Sequence, residues 1–244
     1  MRPDRLVLVC GTGTSVGKTW VSSRLLLELR TRNLRVAARK PAQSFDVDLA
    51  GVNLGGATDA EVLGAASGEH AGTVCHSFRS YHRAMAPPMA AEALGLPSFT
   101  VADLADEMVW PDHQVDVGLV ETAGGVRSPQ ASDGDVIEFV RVLKPDVVIL
   151  VADAGLGTIN GVRMSMGALA TIIGEPAADG AAATGSDDGA GNGSIRSVVA
   201  LDRFDGRHDI HRRNREWLTA RDGYETVALP GEEQLLADLV TGQQ

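Results

Sequence analysis

Two hydrophobic rhythms alternate along the chain. Short runs such as Leu6-Val7-Leu8-Val9-Cys10 and Val147-Val148-Ile149-Leu150-Val151-Ala152 are apolar at every position, which suits strands buried on both sides. Between them, apolar residues return every three or four positions, the spacing of a helix that covers one face of a sheet. The runs predict strands at Leu6–Cys10, Val36–Arg39, Val117–Glu121, Val147–Ala152, Ser197–Leu201 and Thr226–Leu229. Helices are predicted at Lys18–Arg32, Asp59–Ala66, Val101–Trp110, Gly134–Leu143, Asn160–Ile173, Ile210–Ala220 and Gly231–Leu239. A shorter helix through Met89–Leu94 is expected after Ala86-Pro87-Pro88, because proline is tolerated in a first turn. Strands alternating with helices predict an α/β fold, a mostly parallel sheet with helices on both faces.

From Glu175 to Ser194 both rhythms stop, and the chain becomes rich in Ala, Gly, Asp and Ser. Such a stretch has too little apolar surface to offset its ordering entropy, so a disordered surface loop is expected there. Only one strand-helix-strand-helix unit follows it, too little for a separate core, and the 244 residues are read as a single domain. A net charge of −10 and an aromatic content of 4% argue against nucleic acid as a partner. An anionic ligand must then be held by local N–H groups, a few lysines and a metal. No run approaches the ~18 apolar residues of a membrane span, and the start of the chain has no secretory pattern. Cys10 and Cys75 form no metal spacing. A soluble cytoplasmic protein without a membrane partner is expected.

The chemistry concentrates where predicted strands end, as it does in open parallel sheets. After the first strand comes Gly11-Thr12-Gly13-Thr14-Ser15-Val16-Gly17-Lys18-Thr19, a glycine-rich turn leading into a helix. In such a phosphate-binding loop the backbone N–H groups, here through Ser15, Val16, Gly17, Lys18, Thr19 and Trp20, converge on phosphate oxygens. Lys18 is expected to reach the outer phosphates and the Thr19 hydroxyl to hold Mg²⁺. Five residues rather than four separate Gly11 from Gly17, so Thr12 occupies the usual position of the first glycine. The second strand ends in Lys40-Pro41, which aims Lys40 at the same crevice. Asp59 opens a helix, where an acid is favoured by the helix dipole alone. Glu121 ends a buried strand beside the Thr122-Ala123-Gly124-Gly125 turn, the place of a Mg²⁺ ligand in a phosphate-loop protein. Gly155-Leu156-Gly157-Thr158-Ile159-Asn160 reads either as an anion-accepting turn or as an ordinary turn capped by Thr158 or Asn160.

Taken in order, Gly-Thr-Gly-Thr-Ser-Val-Gly-Lys-Thr, Lys-Pro-Ala-Gln-Ser, Thr-Asp-Ala-Glu, Pro-Pro-Met-Ala-Ala, Glu-Thr-Ala-Gly-Gly and Gly-Leu-Gly-Thr-Ile-Asn resemble the ATP-dependent dethiobiotin synthases. The resemblance spans roughly Leu6 to Leu169. It implies a P-loop nucleoside triphosphate hydrolase fold and the ATP-dependent closure of a ureido ring on 7,8-diaminopelargonic acid with CO₂. It also implies that Lys18 and Lys40 are catalytic, and that Thr19, Asp59 and Glu121 surround Mg²⁺. Thr14, Lys40 and Ser44 would contact the diamine or its carbamate, and Gly124, Pro230, Gly231 and Glu232 the nucleotide. Members are homodimers in which a partner's turn, here Leu156, Gly157, Ile159 and Asn160, reaches the substrate carboxylate. The chain departs from the family pattern at Thr122, at Phe45, and at Leu201-Asp202, where an asparagine reads adenine in many members.

Three rivals differ in testable ways. Cobyrinate-type amide synthases carry a glutamine-hydrolysing domain with a nucleophilic cysteine, for which this chain has too little length and no suitably placed thiol. Partition-type ATPases carry an extra lysine early in the loop, absent from Gly13-Thr14-Ser15. An inactive nucleotide-binding relative would bind nucleotide without turnover.

Overall fold

The computed structural model describes residues 1–47, 53–173 and 195–243. The expected disordered loop, Glu175–Ser194, lies outside the described residues. In chain order, β1 (Arg5–Gly11) leads through the glycine turn into α1 (Lys18–Thr31) and then β2 (Val36–Arg39). Next come β3 (Gln43–Ser44), α2 (Asp59–Ser67), α3 (Ala71–Val74), β4 (Ser80–Tyr81), α4 (Pro87–Ala93) and α5 (Val101–Glu107). The remainder is β5 (Val117–Glu121), α6 (Val136–Leu143), β6 (Val147–Asp153), α7 (Thr158–Ile173), β7 (Arg196–Asp202), α8 (Asp209–Glu216), β8 (Thr226–Ala228) and α9 (Glu233–Thr241).

Six strands form one sheet in the order β2-β5-β1-β6-β7-β8, every neighbouring pair parallel. All C-terminal strand ends therefore lie on one edge, with β1 at the centre. Alternation within β1 feeds two cores. Val7 and Val9 meet Val21, Leu25, Leu26 and Leu29 of α1 and the apolar residues of α2 and α9. Leu6, Leu8 and Cys10 meet Leu104 of α5, Phe139 and Val140 of α6, and Val162, Met166 and Leu169 of α7. Burying an aliphatic side chain of this size contributes roughly 1.5–3 kcal/mol. This is an α/β phosphate-loop fold with a mostly parallel sheet and helices on both faces.

Several boundaries differ from the sequence expectation for local reasons. The helix expected from Gly134 begins at Val136, because the Asp135 carboxylate accepts from the Ile137 N–H at 2.7 Å and caps it there. The helix expected to reach Trp110 stops at Glu107. Trp110 is instead drawn onto the sheet, stacked with the Arg39 guanidinium at 4.9 Å and filling the space that Gly118 leaves. The run expected as one helix to Ala220 is α-helical to Glu216 and widens into a π turn over Trp217–Arg221. The last helix starts at Glu233, because the Glu232 carboxylate turns back to accept from the Ala228 N–H at 2.9 Å.

The pair β3–β4 and the one-turn α3 were not predicted. Two-residue strands show no period, but this region shields an open edge. Glu69 accepts the Ala38 N–H at 2.7 Å, and the Lys40 N–H reaches Val74 O at 2.7 Å. Edge strands left bare invite pairing with other chains. Among the described residues no helix is long and apolar enough to cross a membrane.

Candidate functional site

The centre of the edge is shaped by β1 running into α1. Gly17 sits at φ +94°, and a Cβ there would come 1.9 Å from Asp202 Oδ2. Only glycine fits. Ser15 is also left-handed, at φ 60°. No side chain caps the N-terminus of the 14-residue α1, so its first N–H groups are free to meet an anion. The Lys18 ammonium donates to Gly13 O at 2.9 Å. Burial, reinforced by the nearby Lys40 charge, lowers the Lys18 pKa to about 8.

Three other elements deliver charge to the same place. Lys40, 2% exposed, directly follows β2, and β5 ends at Glu121, 0% exposed. The Lys40 ammonium lies 2.8 Å from Glu121 Oε1 and 2.8 Å from Asp59 Oδ2. Asp59 is placed by α2, whose start is fixed by reciprocal bonds between Thr58 and Glu61. The Thr19 hydroxyl lies 2.7 Å from Glu121 Oε1 and 2.8 Å from Asp59 Oδ1, while Ser22 donates to Glu121 Oε2 at 2.7 Å. Burial alone would lower the Lys40 pKa, but the Glu121 and Asp59 charges outweigh it and raise it. Lys40 in turn holds the Asp59 carboxyl below the usual carboxylate range.

Thr19 has one hydroxyl proton for two carboxylate oxygens. A cation bound through the hydroxyl lone pair would satisfy all three oxygens together. The donors are hard oxygens, the kind that Mg²⁺ takes together with waters and phosphates. Among the described residues no group of three or more His, Cys, Asp or Glu stands together, so such an ion would complete its shell from water and ligand.

The cluster borders a cavity of about 650 Å³. Of the residues singled out in the sequence, Thr14, Ser15, Gly17, Lys18, Thr19, Trp20, Lys40, Ser44, Asp59 and Gly124 line it. Glu121 stands behind Lys40 and Thr19. Val16 turns away, its methyl filling the space beside Gly11. Ser44 donates to Met85 O at 2.6 Å, tying β3 to the segment before α4. Pro230, Gly231 and Glu232 do not line the cavity, and the Glu232 carboxylate is engaged with Arg215 at 2.8 Å. Leu156, Gly157, Ile159 and Asn160 do not reach it either. Leu156 is 93% exposed on a turn held from behind by Asn214.

Two of the departures behave differently. Phe45 lines the cavity and rests against the His82 ring at 5.2 Å. Thr122 does not. It is buried, with its hydroxyl donating to Val9 O at 3.2 Å. Sequence reasoning missed Ser22, one turn beyond Lys18 on the same helical face, and Arg203, which lines the cavity directly after β7. The predicted strand stops at Leu201, and only its observed extension to Asp202 puts Arg203 directly at a strand end.

A family model described as an AAA domain matches residues 5–173. The chain is 35% identical to the ATP-dependent dethiobiotin synthetase BioD of Rhodococcus jostii (strain RHA1) over 165 residues, 67% of each protein. It is 33% identical to the synthetase of the same name from Corynebacterium efficiens, covering 68% of this chain and 70% of that one. Among solved structures, a DUF1611 family protein from Anabaena variabilis superposes with a TM-score of 0.51 at 16% identity. That match covers 98% of this chain and 57% of the other, and shows likeness of fold alone. With a third of its positions shared across two thirds of two synthetases, the chain belongs to the ATP-dependent dethiobiotin synthetase family.

Proposed function

We infer that this chain makes dethiobiotin from 7,8-diaminopelargonic acid, CO₂ and ATP. The observation that carries the reading is the convergence of Lys40, Asp59, Glu121 and Thr19 beside Lys18, in a chain so similar to named synthetases. In this reading one amine of the diamine adds to CO₂, loses a proton and becomes a carbamate. A carbamate oxygen attacks the γ-phosphorus of ATP, the bond to ADP breaks, and a carbamic–phosphoric anhydride forms. The second amine attacks the anhydride carbonyl, phosphate leaves, and the ureido ring closes.

This chain's residues supply position and charge, the main contributions to phosphoryl and acyl transfer. Lys18, bonded to Gly13 O, turns to the outer phosphate oxygens. Lys40, buried and held as a cation by Asp59 and Glu121, meets the negative carbamate and the transferring phosphoryl oxygens. Thr14 and Ser44 orient the diamine. Thr19, Asp59 and Glu121 would hold Mg²⁺, which when bound supplies charge neutralisation on the phosphates. The outward Leu156–Asn160 turn suits reaching the substrate carboxylate of a second copy, placing the start of α7 against an anion.

Purified protein given diaminopelargonate, bicarbonate, Mg²⁺ and ATP is expected to yield dethiobiotin and ADP in equal amounts. No product with any nucleoside triphosphate would overturn the reading. Nucleotide binding without turnover would favour the inactive relative.

A further inference from the structure

Among the described residues, three cations line the cavity: Lys18, Lys40 and Arg203. The first two face the Asp59 and Glu121 carboxylates, so that end has two positive charges against two negative ones. Arg203 shares no partner with them. One guanidinium nitrogen donates to Ser15 O at 2.9 Å, and another pairs with Asp153 Oδ2 at 2.7 Å. Asp202 Oδ2 lies 3.6 Å from its Nε.

The sheet order separates the two ends. β5, which carries Glu121, and β7, which Arg203 follows, are three strand spacings apart, roughly 14 Å at ~4.8 Å each. The phosphate loop leaves β1 between them. The cavity touches both Lys40 and Arg203, so a ligand that fills it crosses the loop from one end to the other. Arg203 is also left-handed, at φ 55°, next to a loop residue that is left-handed as well, Ser15 at φ 60°. Non-glycine residues rarely adopt this conformation unless their surroundings impose it, and such positions gather at ligand clamps. Its side chain remains 56% exposed. The guanidinium has five N–H donors in a flat fork; one N–H on each terminal nitrogen is engaged, and the second on each remains for a ligand.

Resting on the nucleotide-dependent reading above, we propose that Arg203 is a nucleotide-contacting residue: it steadies the tip of the phosphate loop through Ser15 O and gives its charge and free N–H groups to the phosphates that remain after the outer one is transferred. The ligand class is nucleoside diphosphates and triphosphates alike. The Lys40 end distinguishes the two, and the Arg203 end does not. Asp153 is then a competitor for the guanidinium as well as its support.

The test is calorimetric titration of the full chain with ADP, and with a non-hydrolysable ATP analogue, in the absence of diamine. Arg203→Gln is expected to weaken both ligands by the same factor, about tenfold to a hundredfold, as loss of a charged hydrogen bond does. Arg203→Lys, which keeps the charge and loses the fork, is expected to lie between. Asp153→Asn removes the competing carboxylate, so ADP affinity should hold or rise. A residue that merely braced the loop would require Asp153, and Asp153→Asn would then weaken ADP as much as Arg203→Gln does. That outcome overturns the proposal, as does ADP affinity within twofold of the unsubstituted chain in both Arg203 variants. If the unsubstituted chain binds no nucleotide, the proposed function falls with it. If it binds ADP and the Arg203 variants bind equally well, only the role of Arg203 falls.

Discussion

The two flanks of the phosphate loop use the same chemistry in different surroundings. On the β2–β5 side the Lys40 and Glu121 side chains are 2% and 0% exposed. On the β6–β7 side the Arg203 and Asp153 side chains are 56% and 46% exposed. Both pairs are close, at 2.8 Å and 2.7 Å. The difference is what happens when one partner is removed. Breaking a buried pair strands a charge away from water and costs about 3–5 kcal/mol, whereas an exposed pair is screened and contributes about 0–1 kcal/mol. The buried flank is therefore assembled before ligand arrives and cannot easily be altered. The exposed flank can exchange partners cheaply, as a surface that binds and releases a nucleotide must.

The comparison breaks most readily at Lys40. Lys40→Ala is expected to lower kcat by about a hundredfold to a thousandfold, the cost of losing one preorganised charge partner in a transition state. ADP affinity, resting on the loop N–H groups and the other flank, should change little. The same substitution leaves Glu121 buried with only Ser22 and Thr19, so chemical unfolding should show a loss of about 3–5 kcal/mol. Turnover, nucleotide titration and unfolding are measured at a temperature where the variant is folded. Unchanged turnover would show that the buried flank is structural only.

Protonation sharpens the contrast further. Lys18 is held at about 8 by burial and by Lys40, so at pH 8.5 much of it is neutral. A phosphate ligand that restores the charge must draw a proton from solution. Titrating ADP at pH 8.5 in buffers of different ionisation enthalpy should reveal uptake of a sizeable fraction of one proton, and at pH 6.5 almost none. Arginine does not titrate in this range, so Arg203→Gln should leave the uptake unchanged while weakening binding. Uptake that vanished with Arg203 would reverse the assignment of the two flanks. The stability consequence has a definite sign. The folded value lies below the unfolded 10.5, so the penalty for burying charged Lys18 is complete below about pH 8 and is relieved between about 8 and 10.5.

The elements that position the buried flank were legible because each is announced locally. An all-apolar run announces β1, Gly-Lys-Thr announces the loop, and Lys40-Pro41 and Glu121 mark strand ends. Their mutual pairing was not legible. Lys40, Asp59 and Glu121 lie far apart along the chain, and only the order β2-β5-β1 brings their ends together. Arg203 was missed for a different reason. A single arginine after a strand is common on surfaces, and nothing in the sequence shows that its backbone is left-handed or that it reaches Ser15. Pro230, Gly231 and Glu232 present the opposite case. Their turn is visible, but the Glu232 carboxylate serves Ala228 within that turn and Arg215 on α8.

The smallest effect is expected at Thr122, the departure nearest the buried flank. Thr122 is a branched residue at the head of the turn that follows β5, where the chain departs from the family pattern. In the folded chain its N–H and hydroxyl both turn to Val9 O, at 3.0 Å and 3.2 Å, and the residue is 1% exposed. Its side chain strengthens the junction of β5 with β1 and leaves the cavity to Ala123 and Gly124. Thr122→Gly should therefore remove a buried hydrogen bond and loosen the backbone, for a loss of about 1 kcal/mol. In a chain of this size that lowers Tm by about 2–4 °C. Turnover should stay within about twofold. A large gain in kcat on substitution would mean that the hydroxyl obstructs the site after all, and the separation of sheet from cavity at this position would have to be redrawn.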